Sequence, residues 1–163
     1  MLVNRCSALL VAWPGGVPAS LGCGGGLLRS VSMDLDDYGH FPLRRFLGMD
    51  IEDVGPGHAI ARLKVSEDLF NPNGVVHGGV LFTMVDTAMG KATMTSLVEG
   101  QLCASIEIQM RFFRPVSAGQ LEADTTVVRR GRRVVHLESR IRDTDGVIVA
   151  TGAGTFAVIS APD

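Results

Sequence analysis

Cysteine is scarce in this chain: Cys6, Cys23 and Cys103 are the only three, at unrelated spacings. Such a set fits a reduced, cytoplasmic protein better than a disulfide scaffold or a zinc site. Charge of one sign is also lacking, the formal net charge being -2. That gives no general attraction to nucleic acid or to an anionic membrane surface. No stretch is long and apolar enough for a convincing membrane-spanning helix. No cluster has metal-ligand spacing, and no glycine motif of the phosphate-cradling type occurs. The sequence therefore implies no retained cofactor. Acidic residues are missing from positions 1–32, where Arg5 and Arg29 stand among glycines and small apolar residues. Pro14, Gly15 and Gly16 interrupt the apolar run Ala8 to Trp13, which weakens a signal-peptide reading, and arginine is sparse for a transit peptide. Residues 1–32 read as a disordered extension, or as the result of a start placed before a true one at Met33.

What remains suits one domain over residues 33–163. A chain of 163 residues has room for one core, and 46% hydrophobic with 20% charged residues is an ordinary globular mixture. A short helix is expected over Phe41 to Leu47, with Pro42 early in it. Strands follow near Met49–Val54 and His58–Val65, separated by the turn Gly55-Pro56-Gly57. In the second strand Ala59, Ala61 and Leu63 alternate with Ile60, Arg62 and Lys64. An irregular loop, Leu69 to Gly74, leads into a helical pattern from Gly78 to about Leu97. Only Asp86 and Lys91 carry charge in that pattern, as in a buried helix.

Four longer strands complete the chain: Cys103–Phe113, Gln120–Arg130, Val134–Asp143 and Val147–Ile159. Ser105, Glu107, Gln109 and Arg111 alternate with Ile106, Ile108, Met110 and Phe112. Leu121, Ala123 and Val127 share one face, and Val135, Leu137 and Ile141 oppose His136, Glu138 and Arg140. The connections Pro115–Gly119, Gly131 and Asp143–Gly146 have hairpin length, so successive strands are expected to pair antiparallel. Period-two alternation gives the sheet one wet face and one packed face. The expected fold is α+β, an antiparallel sheet wrapped around one central helix.

Asp86 stands out chemically. Its helical neighbours are Phe82, Thr83, Met89 and Gly90. A carboxylate so placed loses hydration, which marks a functional-site candidate, although a buried structural Asp bracing a loop has the same pattern. His77-Gly78-Gly79 falls where the loop becomes the helix. Free amides there carry partial positive charge and can polarise a carbonyl, and glycine lets a ligand approach. The bland alternative is a permissive turn beside an ordinary loop histidine. Gly78 and Asp86 are eight residues apart, roughly 12 Å along one helix. One carbonyl carbon cannot meet both in a single chain. A symmetric homodimer, with the partner helix antiparallel, would supply the second group.

Asn71-Pro72-Asn73-Gly74-Val75-Val76-His77-Gly78-Gly79, followed by Leu81, Phe82 and Asp86, resembles the signature of PaaI-like acyl-CoA thioesterases. These belong to the hotdog superfamily that includes 4-hydroxybenzoyl-CoA thioesterases. The resemblance runs from about Phe41 to Ile159, including Arg111-Phe112-Phe113-Arg114-Pro115. It implies a hotdog fold and hydrolysis of an acyl-CoA to a free acid and CoA, with CoA as substrate. It assigns Asp86 as general base or nucleophile and the Gly78 amide as the group that polarises the carbonyl. Asn71 and His77 would hold the carbonyl end and the attacking water, and Ser105 would orient that water. Asn71, His77 and Gly78 would come from one subunit and Asp86 and Ser105 from its partner, in a homodimer and, as in many relatives, a homotetramer.

Further substrate contacts are expected at Gly79, Phe82 and Met89, with the acyl chain near Phe82, Met84, Met89 and Met94. Methionine-rich linings adapt to varied shapes. In the basic tip Arg129–Arg133, Arg130 and Arg132 are candidates for the CoA phosphates, as is Arg114; a solvated turn whose charges keep the strand ends soluble is the favoured reading of the tip. Two other functions fit the scaffold. A non-catalytic acyl-CoA sensor would keep ligand response after Asp86→Asn, but no helix-turn-helix pattern precedes Phe41. A hydroxyacyl-thioester dehydratase would release no thiol from a saturated substrate.

Overall fold

A computed structural model of the chain describes residues 40–161. The extension over residues 1–32 lies outside them. The elements in order are α1 (Pro42–Leu47), β1 (Met49–Gly55), β2 (His58–Lys64), α2 (Gly78–Met94), β3 (Gln101–Phe112), β4 (Gln120–Arg130), β5 (Val134–Arg142) and β6 (Ile148–Ser160). One six-stranded antiparallel sheet carries them in the order β1-β2-β4-β5-β6-β3. The sheet curls around α2, the arrangement of the hotdog fold.

The sheet lets α2 approach closely because its concave face carries small side chains under the helix. Ala59, Ala61 and Ala123 are fully buried there. On β6 the approach is tighter still. A Cβ on Gly152 would sit 2.8 Å from Val85 Cγ1, and one on Gly154 only 2.4 Å from Met89 Sδ. Larger residues fill the rest of the layer: Leu63, Leu121, Leu137 and Ile141 from the strands meet Met84, Val85 and Met89 from α2. Full burial of such side chains contributes about 1.5–3 kcal/mol each, before the entropy cost of folding.

Three sequence expectations change. The Pro115–Gly119 connection is not a hairpin, because β3 pairs with β6 at one end of the sheet and β4 pairs with β2 and β5. The connecting segment instead crosses the end of the sheet. It is held there by Val76 N–H to Val116 O at 2.8 Å and Val65 N–H to Gly119 O at 3.0 Å, with Val116 buried. Loop length alone did not reveal that β3 has left for the far edge.

Strict alternation in β3 also fails. The register shifts between Ser105 and Glu107, leaving Ile106 as an extra residue exposed to solvent. Such a bulge exchanges the faces of the residues beyond it. Cys103 and Ser105 therefore share the concave face with Ile108 and Met110, and Glu107 and Gln109 turn outward. On β4, Val127 is only half-buried, whereas Thr125 is fully buried in the same row. Its hydroxyl meets the buried Ser139 Oγ on the facing strand at 2.7 Å, so two polar groups satisfy each other in the core.

Candidate active site

The loop before α2 is shaped by its own side chains. Asn71 Oδ1 accepts from Asn73 N–H at 2.8 Å, and Asn71 O accepts from Gly74 N–H at 3.0 Å. Gly74 adopts φ 73, the left-handed region this tight turn requires. Asn71 N–H and Val75 O close the turn at 2.8 Å. His77 then caps the helix. Its Nδ1 accepts from Gly79 N–H at 2.9 Å, and its carbonyl accepts from Val80 N–H at 2.9 Å. An accepting Nδ1 leaves the ring proton on Nε2. Two of the first amides are thereby used. Among the described residues nothing accepts from the Gly78 N–H. Gly78 and Asn71 line a cleft of about 320 Å³ with Phe112, Phe113 and Arg114.

Asp86 lies two turns along α2, in a different cleft of about 400 Å³ that it shares with Thr87, Gly90, Lys91, Ser105 and Phe156. Burial raises its carboxyl above the ordinary carboxylate range, and a hydrogen bond with the Ser105 side chain draws it partly back. Ser105 reaches Asp86 because the bulge falls after it and not before it. The floor of the cleft is further set by Cys103, whose Sγ lies 3.6 Å from Gly90 O.

The structure thus sorts the expected site residues into two groups. Asn71, His77, Gly78 and Gly79 gather at the start of α2, and Asp86 and Ser105 gather at its middle. Phe82 is exposed on the helix face between them, 41% accessible. Met89 belongs to neither group. It is fully buried against Gly152 and Gly154, and Met84 is fully buried in the core. Their side chains fill the space that the glycines leave under the helix. Arg130 and Arg132 are exposed at the β4–β5 tip and line neither cleft.

Sequence reasoning missed His77 as a cap, since Ser, Thr, Asp and Asn are the usual caps. It also missed Lys91 and Phe41 as walls of the Asp86 cleft. The signal for Lys91 was present, because it is the only other charge on α2. Among the described residues no group of His, Cys, Asp or Glu is arranged to hold a metal ion. No helix among them is long and apolar enough to cross a membrane.

Comparison with known proteins gives the family. The model of the thioesterase superfamily matches residues 73–150, a span that begins in the Asn71 turn and holds Gly78, Asp86 and Ser105. The "Putative esterase" of Halobacterium salinarum is 35% identical over 135 residues, covering 76% of this chain and 87% of that protein. The chain belongs to the thioesterase superfamily. Another relative, the 1,4-dihydroxy-2-naphthoyl-CoA hydrolase of Listeria monocytogenes, is 25% identical over 71% of this chain and 94% of its own. Among solved structures, the Escherichia coli PaaI protein from the phenylacetic acid degradation operon superposes with a TM-score of 0.72 at 26% identity, covering 77% of this chain and 90% of that one. For a thioesterase, a desolvated carboxylate and an unused helix-terminal amide are the two groups to explain.

Proposed function

We propose that this thioesterase hydrolyses acyl-CoA thioesters at a site completed by two copies of the chain. The observation that carries the reading is the separation of Gly78 and Asp86 into two clefts on one helix. Two copies with antiparallel helices bring the Gly78 amide of one protomer to the Asp86 carboxylate of the other. The Gly78 amide and the Asn71 side chain polarise the thioester carbonyl. Asp86, ionised, takes the proton of a water held by Ser105 and His77 as that water attacks the carbonyl carbon. The carbon–sulfur bond then breaks and CoA leaves as the thiol. Direct attack by Asp86, followed by hydrolysis of the resulting anhydride, uses the same groups.

Exposed apolar surface supports the pairing. β3 is a 12-residue edge strand, and among the described residues no strand pairs with its outer side. Ile106 and Phe112 on it, and Phe82 on α2, are 41–59% exposed. Long bare edges with apolar neighbours are normally covered. The relative that hydrolyses a naphthoyl-CoA supports CoA esters as substrates. The test is a thiol-release screen over short, medium, long and aromatic acyl-CoAs, with Asp86→Ala as control. Turnover of at least one ester that depends on Asp86 is expected; a flat panel overturns the reading.

A further inference from the structure

The Asp86 cleft does not end at Asp86. It continues toward the C-terminal end of α2, past Gly90, and reaches Lys91. Gly90 opens this passage: a Cβ there would lie 3.9 Å from the Phe156 ring, so any larger side chain would narrow the gap between helix and sheet. Ile51, Phe41 and Phe156 supply apolar walls. Among the described residues, Asp86 and Lys91 are the only charged ones on the lining. One sits where the thioester reacts under the proposed function, and the other sits at the far end.

Lys91 is not consumed by its neighbour. Asp53 Oδ2 stands 3.6 Å from Nζ, beyond hydrogen-bonding distance, and Asp53 Oδ1 is held by Gly55 N–H at 3.0 Å. An ammonium has three donors. A cation between two carboxylates already occurs in this protein, where Arg62 binds both Glu52 and Glu122. Asp53 therefore does not prevent a second carboxylate from meeting Lys91 from the cleft side.

We propose that Lys91 is a specificity determinant that selects acyl groups ending in a carboxylate. The proposal rests on the acyl-CoA reading given above. Asp86 and Lys91 are five residues apart, about 7.5 Å along the helix axis. An extended chain advances about 1.2 Å per bond. Since the two residues also lie about 140° apart around the helix, that rise is a lower bound, and acyl groups that span the cleft have at least about six carbons, with an apolar middle against Phe156 and Ile51 and the distal carboxylate on Nζ.

The test compares kcat/KM for CoA esters in pairs of equal length: succinyl with butanoyl, adipoyl with hexanoyl, suberoyl with octanoyl. Wild-type protein is expected to prefer the carboxylated ester about tenfold or more at six or eight carbons and not at four, the scale of a charge-assisted hydrogen bond. Lys91→Met should reduce that ratio to near or below one, and Lys91→Arg should retain most of it. The wild-type ratios stand on their own if a variant fails to fold. A wild-type preference for the plain esters at every length overturns the proposal, as does a ratio that Lys91→Met leaves unchanged. Failure of the thioesterase reading looks different: no ester of the six would then give thiol release that depends on Asp86.

Discussion

Gly78→Pro isolates the helix-terminal amide. Gly78 is the first residue of α2, and proline is well tolerated there because that amide has no partner within the helix. The residue before it, His77, has φ -64 and ψ 135, the extended region that a following proline requires. Gly78 is not among the glycines with positive φ. A Cβ at this position would meet the Phe112 ring first, at 3.5 Å, an ordinary contact. Proline therefore removes one N–H while leaving the backbone path intact. If that N–H polarises the thioester carbonyl, its loss should lower kcat by about 10²- to 10³-fold, the scale for deleting one oxyanion donor. That corresponds to about 2.7–4 kcal/mol of transition-state stabilisation. Gly78→Ala, which adds the Cβ but keeps the amide, should stay within several-fold of wild type. Steady-state thiol release measures both, and urea denaturation should find the two variants equally folded. A proline variant that turns over like the alanine variant would refute the role given to this amide.

The two-copy site predicts complementation: Gly78→Pro and Asp86→Asn, each nearly inactive alone, should recover about a quarter of wild-type activity when co-expressed in equal amounts. Half the dimers are then mixed, and each mixed dimer has one intact site. No recovery in purified mixed dimers would contradict the shared site. Asp86→Asn alone should lower kcat about 10²- to 10⁴-fold. Its stability has a definite sign. Burial raises the folded pKa of Asp86, so the wild-type protein loses stability as pH rises from the unfolded to the folded value and keeps that loss above it. The Asn variant should gain on wild type at neutral pH and not at pH 3, by urea titration at both. Ser105→Ala removes the hydrogen bond that lowers the Asp86 pKa, so the acid limb of the kcat/KM profile should move to higher pH. Gly154→Ala would force a methyl to 2.4 Å from the buried Met89 sulfur, and overpacking of this kind costs about 1–3 kcal/mol in denaturation.

Periodicity made most of the elements readable. The Gln120–Arg130 strand matches at both ends, and α2 begins at Gly78 as expected, stopping at Met94 with Thr95 as its cap. These patterns are local: two-residue alternation and three-to-four-residue spacing record which side of each element faces the core. The Ile106 bulge was hidden because an extra residue in a run of alternating types changes facing without changing composition. The burial of Met89 under the sheet was not legible, because a helix apolar on all sides does not show which side meets the sheet.

By itself the sequence determined the α+β layer, the place where the loop becomes the helix, and the isolation of Asp86 on that helix. It also determined the eight-residue spacing that keeps Gly78 and Asp86 apart, since helix rise is fixed by backbone hydrogen bonding. Tertiary structure decided the rest. It sent β3 to the far edge beside β6, turned Ser105 inward onto Asp86, and buried Met89 beneath two glycines. Those outcomes depend on contacts between residues distant in the chain, and no local pattern encodes which strand another will choose as its neighbour.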